Sequence, residues 1–227
     1  MAKGKGALAL VGGGEWTAPC RPLDQRLLAA SGVREVVVLP TAAAFEHPER
    51  AVGRAAEWFG GMGATARGLD VLTRRDAEDA DLVAQVRAAR FIYLADGSPL
   101  HLRSVLKGSA CFDAIVHAYE RGAVVAASGA AATLLCDPMV DPRGGAFTVG
   151  LGLVNGLAVF PYHGTTAAHI RERSLALLAP DVVLVGLDEG SALLREGEGS
   201  WEAVGDGVTV YRSGAAARTL APGATVV

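Results

Sequence analysis

VVAASGAAATLL, residues 124–135, joins an apolar run to a stretch of small residues through one serine and one glycine. Val124–Ala126 is wholly apolar, as suits a strand buried on both faces. The alanines and leucines that follow suit a helix packed against it. Ser128 at this junction has two readings. One is a nucleophile on a sharp strand-to-helix turn, where small residues at −2 and +2 let strand and helix pass closely. Ala126 and Ala130 meet that demand, and the Gly129 N–H would point with the helix N-terminus toward a developing oxyanion. The other reading is a small polar residue held by packing at a buried helix start.

The same alternation extends outward along the chain. Ala7–Val11, Val36–Leu39, Ala66–Leu72 and Phe91–Leu94 read as strands. Helical patterns over Pro22–Ala30, Pro48–Phe59, Ala77–Ala89 and Phe112–Arg121 separate them. Ser98 and Pro99 read as the N-cap and first residue of a further helix. This order predicts a mostly parallel sheet covered by helices on both faces. Ligands in such sheets bind at the carboxyl ends of the strands. Ser128, Gly12–Glu15, Pro40–Thr41 and Asp96–Ser98 all fall there. After residue 150 the strands become short and glycine-punctuated: Leu157–Phe160, Val182–Val185, Ala192–Leu194 and Val208–Tyr211. They suggest an antiparallel C-terminal extension of the sheet, with a helix around Ala167–Leu178. No repeat or linker interrupts the chain, so residues 1–227 read as one α/β domain.

Bulk composition narrows the function. The chain has 227 residues, 51% of them hydrophobic, and a net charge of −3. No basic field invites nucleic acid or an anionic membrane. No apolar run approaches the roughly 20 residues of a spanning helix. The apolar run near the start, Ala7–Val11, is too short for a signal peptide's core and reads as a strand. Cys20, Cys111 and Cys136 show neither disulfide nor zinc spacing, which points to a reducing cytoplasm and no metal.

A serine nucleophile needs a base, and the base an orienting acid. Of the five histidines, His117 sits inside a predicted helix, His101 in the first turns of another, and His169 in a third. His163 follows a strand in AVFPYHGTT and lies after Ser128, which makes it the favoured base. VLVGLDEGSALL places Asp188 and Glu189 just past an apolar strand, where only one of the two can reach a histidine. GGGE at 12–15 is a glycine-rich turn, but it lacks the spacing of a dinucleotide or Walker motif, so no cofactor is expected.

These stretches, in this order, resemble the cyanophycinase and dipeptidase E family of serine peptidases. LVGGGEW, EVVVLPTAAAFEHP, FIYLADGSPLHL, VVAASGAAATLL, VLVGLDEGSALL and EAVGDGVTVYRSG carry the likeness nearly end to end. The resemblance implies the class I glutamine amidotransferase-like fold, a three-layer sandwich, with serine where the amidotransferases have cysteine. It implies Ser128 as nucleophile, His163 as base and Glu189 as orienting acid, with Asp188 as fallback. It places oxyanion donors at Gly97 and Gly129, and Glu15, Ser98 and Asp188 near substrate. It implies acyl-enzyme hydrolysis of a small peptide or isopeptide, an acidic dipeptide or a cyanophycin-like unit. An acidic substrate asks for a guanidinium, for which Arg103, Arg143 and Arg171 are candidates. A homodimer is left open.

The family pattern is not matched throughout. The elbow reads AASGAA against Gly-x-Ser-Ala-Gly-Ala, and the oxyanion turn reads ADGSP against Gly-Gly-Asp/Asn-Gln/Thr. These changes raise a second expectation, a degenerate relative that binds a small ligand or partner without turnover. A glutaminase is the third, disfavoured because Cys136 lies eight residues past the elbow.

Overall fold

The computed structural model describes residues 4–226. Its central sheet runs in the order Glu202–Val204, Ala192–Glu196, Ala7–Val11, Val124–Ser128, Phe91–Leu94, Glu35–Leu39, Thr65–Gly68. The five strands from Ala7–Val11 to Thr65–Gly68 are parallel. The other two are antiparallel additions at one edge.

Strand side chains alternate between two faces, and this alternation sorts the apolar residues into two cores. Leu8, Leu10, Ile92, Leu94, Val125 and Ala127 pack on one face. Helices Ala80–Ala88, Pro99–Leu106, Ala110–Glu120 and Ala130–Leu135 bring Val86, Leu102, Ile115 and Leu134 to that core. Ala9, Val11, Val38, Phe91, Tyr93 and Ala126 pack on the other face, against Leu23, Leu27, Ala55 and Phe59 of helices Arg21–Ser31 and Pro48–Gly60. The result is the expected three-layer α/β sandwich. Among the described residues no helix is long and apolar enough to cross a membrane.

The C-terminal third departs from the expected extension. Only Ala192–Glu196 and Glu202–Val204 extend the central sheet. Leu157–Pro161, Val183–Leu187, Val208–Tyr211 and Arg218–Leu220 form a separate four-stranded sheet, its first two strands parallel. A parallel pair needs a crossover, which helix Ala168–Ala176 supplies. The two sheets share an apolar cluster: Val159, Val185 and Val210 pack in the same core as Leu8 and Leu10.

One acid lies inside the second core. Asp24 of helix Arg21–Ser31 is fully buried. Its Oδ2 accepts a hydrogen bond from Trp58 Nε1 at 2.8 Å, while Oδ1 has no partner among the described residues. Burial pushes its pKa up to about 7, against the pull of the Trp58 bond and with the help of nearby Glu15. A carboxyl whose folded pKa is raised stabilises the fold fully below the unfolded value of roughly 4, and that contribution fades as pH rises toward 7. Asp24→Asn removes this titration. The stability of the wild type relative to Asp24→Asn should therefore fall between pH 4.5 and 7.5, on the order of 1 kcal/mol per pH unit. Urea denaturation of both proteins across that range checks it; parallel curves would mean that Asp24 is ionised in the fold.

Candidate functional site

Backbone hydrogen bonds bring the strand-end loops together. Tyr162 N–H donates to Gly12 O at 2.8 Å, Gly190 N–H to Gly13 O at 2.9 Å, and Ser98 N–H to Ala42 O at 2.8 Å. The glycines here are steric requirements. A methyl group on Gly12 would overlap the backbone of Leu187 and Asp188, and one on Gly97 would overlap the Ala42 carbonyl.

Ser128 ends its strand in register with Val11. Strand alternation places its side chain on the face of Val124 and Ala126, in the core beneath the loops. It is fully buried, and its Oγ donates to Glu15 Oε2 at 2.8 Å. Glu15, 5% exposed, also faces Arg54 at 3.5 Å. Burial raises the Glu15 pKa, the charge of Asp96 adds to the rise, and the Ser128 hydrogen bond opposes it.

The strand-to-helix reversal itself falls on Gly129, with φ 50° and ψ −111°. Its N–H donates to Val11 O at 2.9 Å and continues the sheet, so Gly129 is not the oxyanion donor expected of it. The next N–H, on Ala130, points into the cleft instead. It donates to Asp96 Oδ1 at 2.6 Å. Gly97 N–H, the other expected donor, reaches the same oxygen at 2.7 Å. The Tyr162 hydroxyl donates to Asp96 Oδ2. A methyl group built on Gly129 would overlap the Asp96 carboxylate. Thus the Asp96 carboxylate rests over the Cα of Gly129, on the N–H groups of Gly97 and Ala130.

His163 is elsewhere. Its ring lies over Gly186, its Nδ1 is 3.3 Å from Asp188 Oδ1, and its Nε2 is 2.7 Å from the Tyr211 hydroxyl. Both ring nitrogens are engaged, and among the described residues no hydrogen bond joins His163 to Ser128 or Glu189. Burial lowers the His163 pKa, and Asp188 opposes that. The acid beside the histidine is therefore Asp188, the fallback. Glu189 is exposed and lines the cleft beside Gly14. Ser98 caps helix Pro99–Leu106, accepting the His101 N–H at 3.3 Å, as the sequence predicts for a cap. The ring against the elbow loops is Tyr162, which packs on Gly13 in a left-handed conformation at φ 53°.

Two cavities meet at Asp96, Gly97 and Tyr162. One, of about 150 Å³, is walled largely by apolar side chains. The other, of about 450 Å³, is charged and includes Glu15, Glu46, Arg50, Arg54 and Glu189. The three arginines that were candidates for a substrate guanidinium lie outside both linings. Arg103 donates to Val149 O, Arg143 pairs with Asp141, and Arg171 donates to His163 O.

A model of peptidase family S51 matches residues 8–202. The chain belongs to peptidase family S51. By family it is a serine peptidase, as its motifs led one to expect. A solved peptidase from an acI-B1 Actinobacterium is similar over 100% of this chain and 98% of its own, at 25% identity and a TM-score of 0.87. A Listeria monocytogenes EGD-e protein assigned to Peptidase E shares the fold, at 17% identity and a TM-score of 0.68. That match covers 92% of this chain and 98% of the other. Comparison with curated proteins finds no match.

The backbone offers a second register for the elbow motif. When the reversal at Gly129 anchors Gly-x-Ser-Ala-Gly-Ala, the motif falls on Ala127-Ser128-Gly129-Ala130-Ala131-Ala132. The motif's serine then stands at glycine, its x at Ser128, and two of its alanines at alanines. This one-residue shift was the signal in the sequence that would have singled out Gly129. Asp96 and Ala130 were already placed at the strand ends and the elbow by sequence, but the contacts that join them to each other and to Tyr162 were not legible there.

The packing of Asp96 over Gly129 makes the two positions energetically coupled. Gly129→Ala should cost about 2 kcal/mol or more, from the positive φ and the overlap with the carboxylate. In an Asp96→Gly background that cost should shrink by at least about 1 kcal/mol. Chemical denaturation of the four proteins of this cycle measures the coupling. An additive cycle would mean that the carboxylate does not occupy the elbow.

Proposed function

We propose that this S51 member binds a small ligand at the carboxyl ends of its strands and forms no acyl-enzyme there. The observation that carries the reading is the Asp96 carboxylate, held by Gly97 and Ala130 N–H over the bare Cα of Gly129. Acyl transfer needs an exposed nucleophile, a base within reach of its proton, and free donors for the oxyanion. Ser128 is buried on Glu15, His163 is engaged with Asp188 and Tyr211, and both donors are taken by a side chain of the protein itself. A ligand-sized cleft remains on either side of Asp96.

A second reading keeps hydrolysis of a small peptide or isopeptide by Ser128, His163 and an acid. Family membership and the His163–Asp188 pair favour it. It requires Ser128 to leave the core and Asp96 to leave the two N–H groups. A glutaminase has no support at the elbow. Cys136 is fully buried, and burial pushes its thiol up to about 12, so it carries almost no thiolate at neutral pH.

Labelling with a fluorophosphonate probe, followed by peptide mass spectrometry, separates the two readings. The folded protein should show no adduct at Ser128 under conditions that modify a reactive S51 peptidase. An adduct at Ser128 that disappears in His163→Ala would establish the hydrolase instead.

A further inference from the structure

The ligand's chemistry follows from the two cavities that share Asp96, and the argument rests on the binding reading above. The smaller cavity is lined by Pro99, Val140, Pro142, Phe160, Pro161 and Ile170. Two threonines also reach it, and both hydroxyls are already engaged. Thr133 Oγ1 accepts the Val140 N–H at 3.1 Å, and Thr166 Oγ1 donates to Tyr162 O at 2.8 Å. The polar end of the cavity is therefore Asp96 with the Tyr162 hydroxyl. An apolar cavity of about 150 Å³ is the size that holds one benzene ring.

Asp96 decides the charge of what enters. Its carboxylate accepts three hydrogen bonds, two at Oδ1 and one at Oδ2. A carboxylate offers about four acceptor sites, so one remains at Oδ2. Only a donor can use it; a ligand carboxylate there would meet a like charge at short range. The charged cavity outside points the same way. Its acids are Glu15, Glu46, Asp96 and Glu189, against Arg50 and Arg54. Arg54 is itself turned to Glu15 and stacked over Trp16, its guanidinium carbon 5.6 Å from the ring centre.

We infer that the site takes a small amine with an apolar body of about one ring, its ammonium at Asp96 and its body in the cavity below. A ligand that presents a carboxylate to Asp96 is thereby disfavoured.

Benzylamine, benzyl alcohol and benzoate share one shape and differ in charge, so they serve as probes in ligand-observed NMR titrations of the full chain. Benzylamine should bind at least about tenfold more tightly than benzyl alcohol, and benzoate more weakly than either. Asp96→Asn should erase the preference for amine over alcohol, and Val140→Phe should weaken both by filling the cavity. Independently of any variant, benzylamine should shift the Gly97 and Ala130 amide resonances of the wild type. The inference is overturned if benzoate binds as well as benzylamine, if none of the three binds, or if the preference survives Asp96→Asn. Benzoate binding without covalent labelling of Ser128 would refute only the ligand class. Labelling of Ser128 would refute the binding reading itself.

Discussion

Two backbone N–H groups and one carboxylate organise the carboxyl-end site. Charge-assisted hydrogen bonds of this kind are short and among the stronger ones in proteins. Gly97 and Ala130 come from different loops, so Asp96 Oδ1 ties the end of strand Phe91–Leu94 to the start of helix Ala130–Leu135. The arrangement tolerates no side chain at residue 129. It also sets the surrounding electrostatics. The Asp96 charge helps raise the pKa of Glu15, and burial together with Asp96 holds the Tyr162 hydroxyl protonated. Tyr162 remains a donor to the carboxylate, and Glu15 remains the acceptor for Ser128. Each of these polar groups has a partner because its neighbour does, a dependence typical of buried networks.

Much of this was legible in the residues. The run Val36–Leu39 and the apolar Val124–Ala126 announce buried parallel strands, and Ser98-Pro99 announces a helix start. The four loops expected on one edge do meet there. Elbow register was harder to read because residues 126–132 are almost uniformly small. Alanine, serine and glycine satisfy the close approach of strand and helix whether the reversal falls at 128 or 129. Local pattern fixes that a turn exists; the backbone dihedrals of Gly129 decide where. Asp96 was hidden for a different reason. Its role depends on a residue more than thirty positions away, and no periodicity encodes that. The second sheet was missed likewise. Strand periodicity tells which residues pair with a face, not which strand lies alongside.

Family S51 supplies the architecture, and architecture alone does not fix chemistry. The fold delivers loops from several strands to one place, whatever those loops carry. Here His163 lies between Asp188 and Tyr211 and over Gly186, away from the reversal at Gly129. His163 and Tyr162 are adjacent in sequence yet face opposite ways. The left-handed turn at Tyr162 sends its ring to Gly13 and sends the imidazole to the second sheet. Strands Val183–Leu187 and Val208–Tyr211 therefore hold the imidazole in place.

The close packing of Asp96 on Gly129 also makes the two positions a single unit of sequence. A side chain at 129 and the carboxylate in its present place compete for one space. Removing the carboxylate leaves the Gly97 and Ala130 N–H groups without their shared acceptor. A change at either position is therefore read through the other.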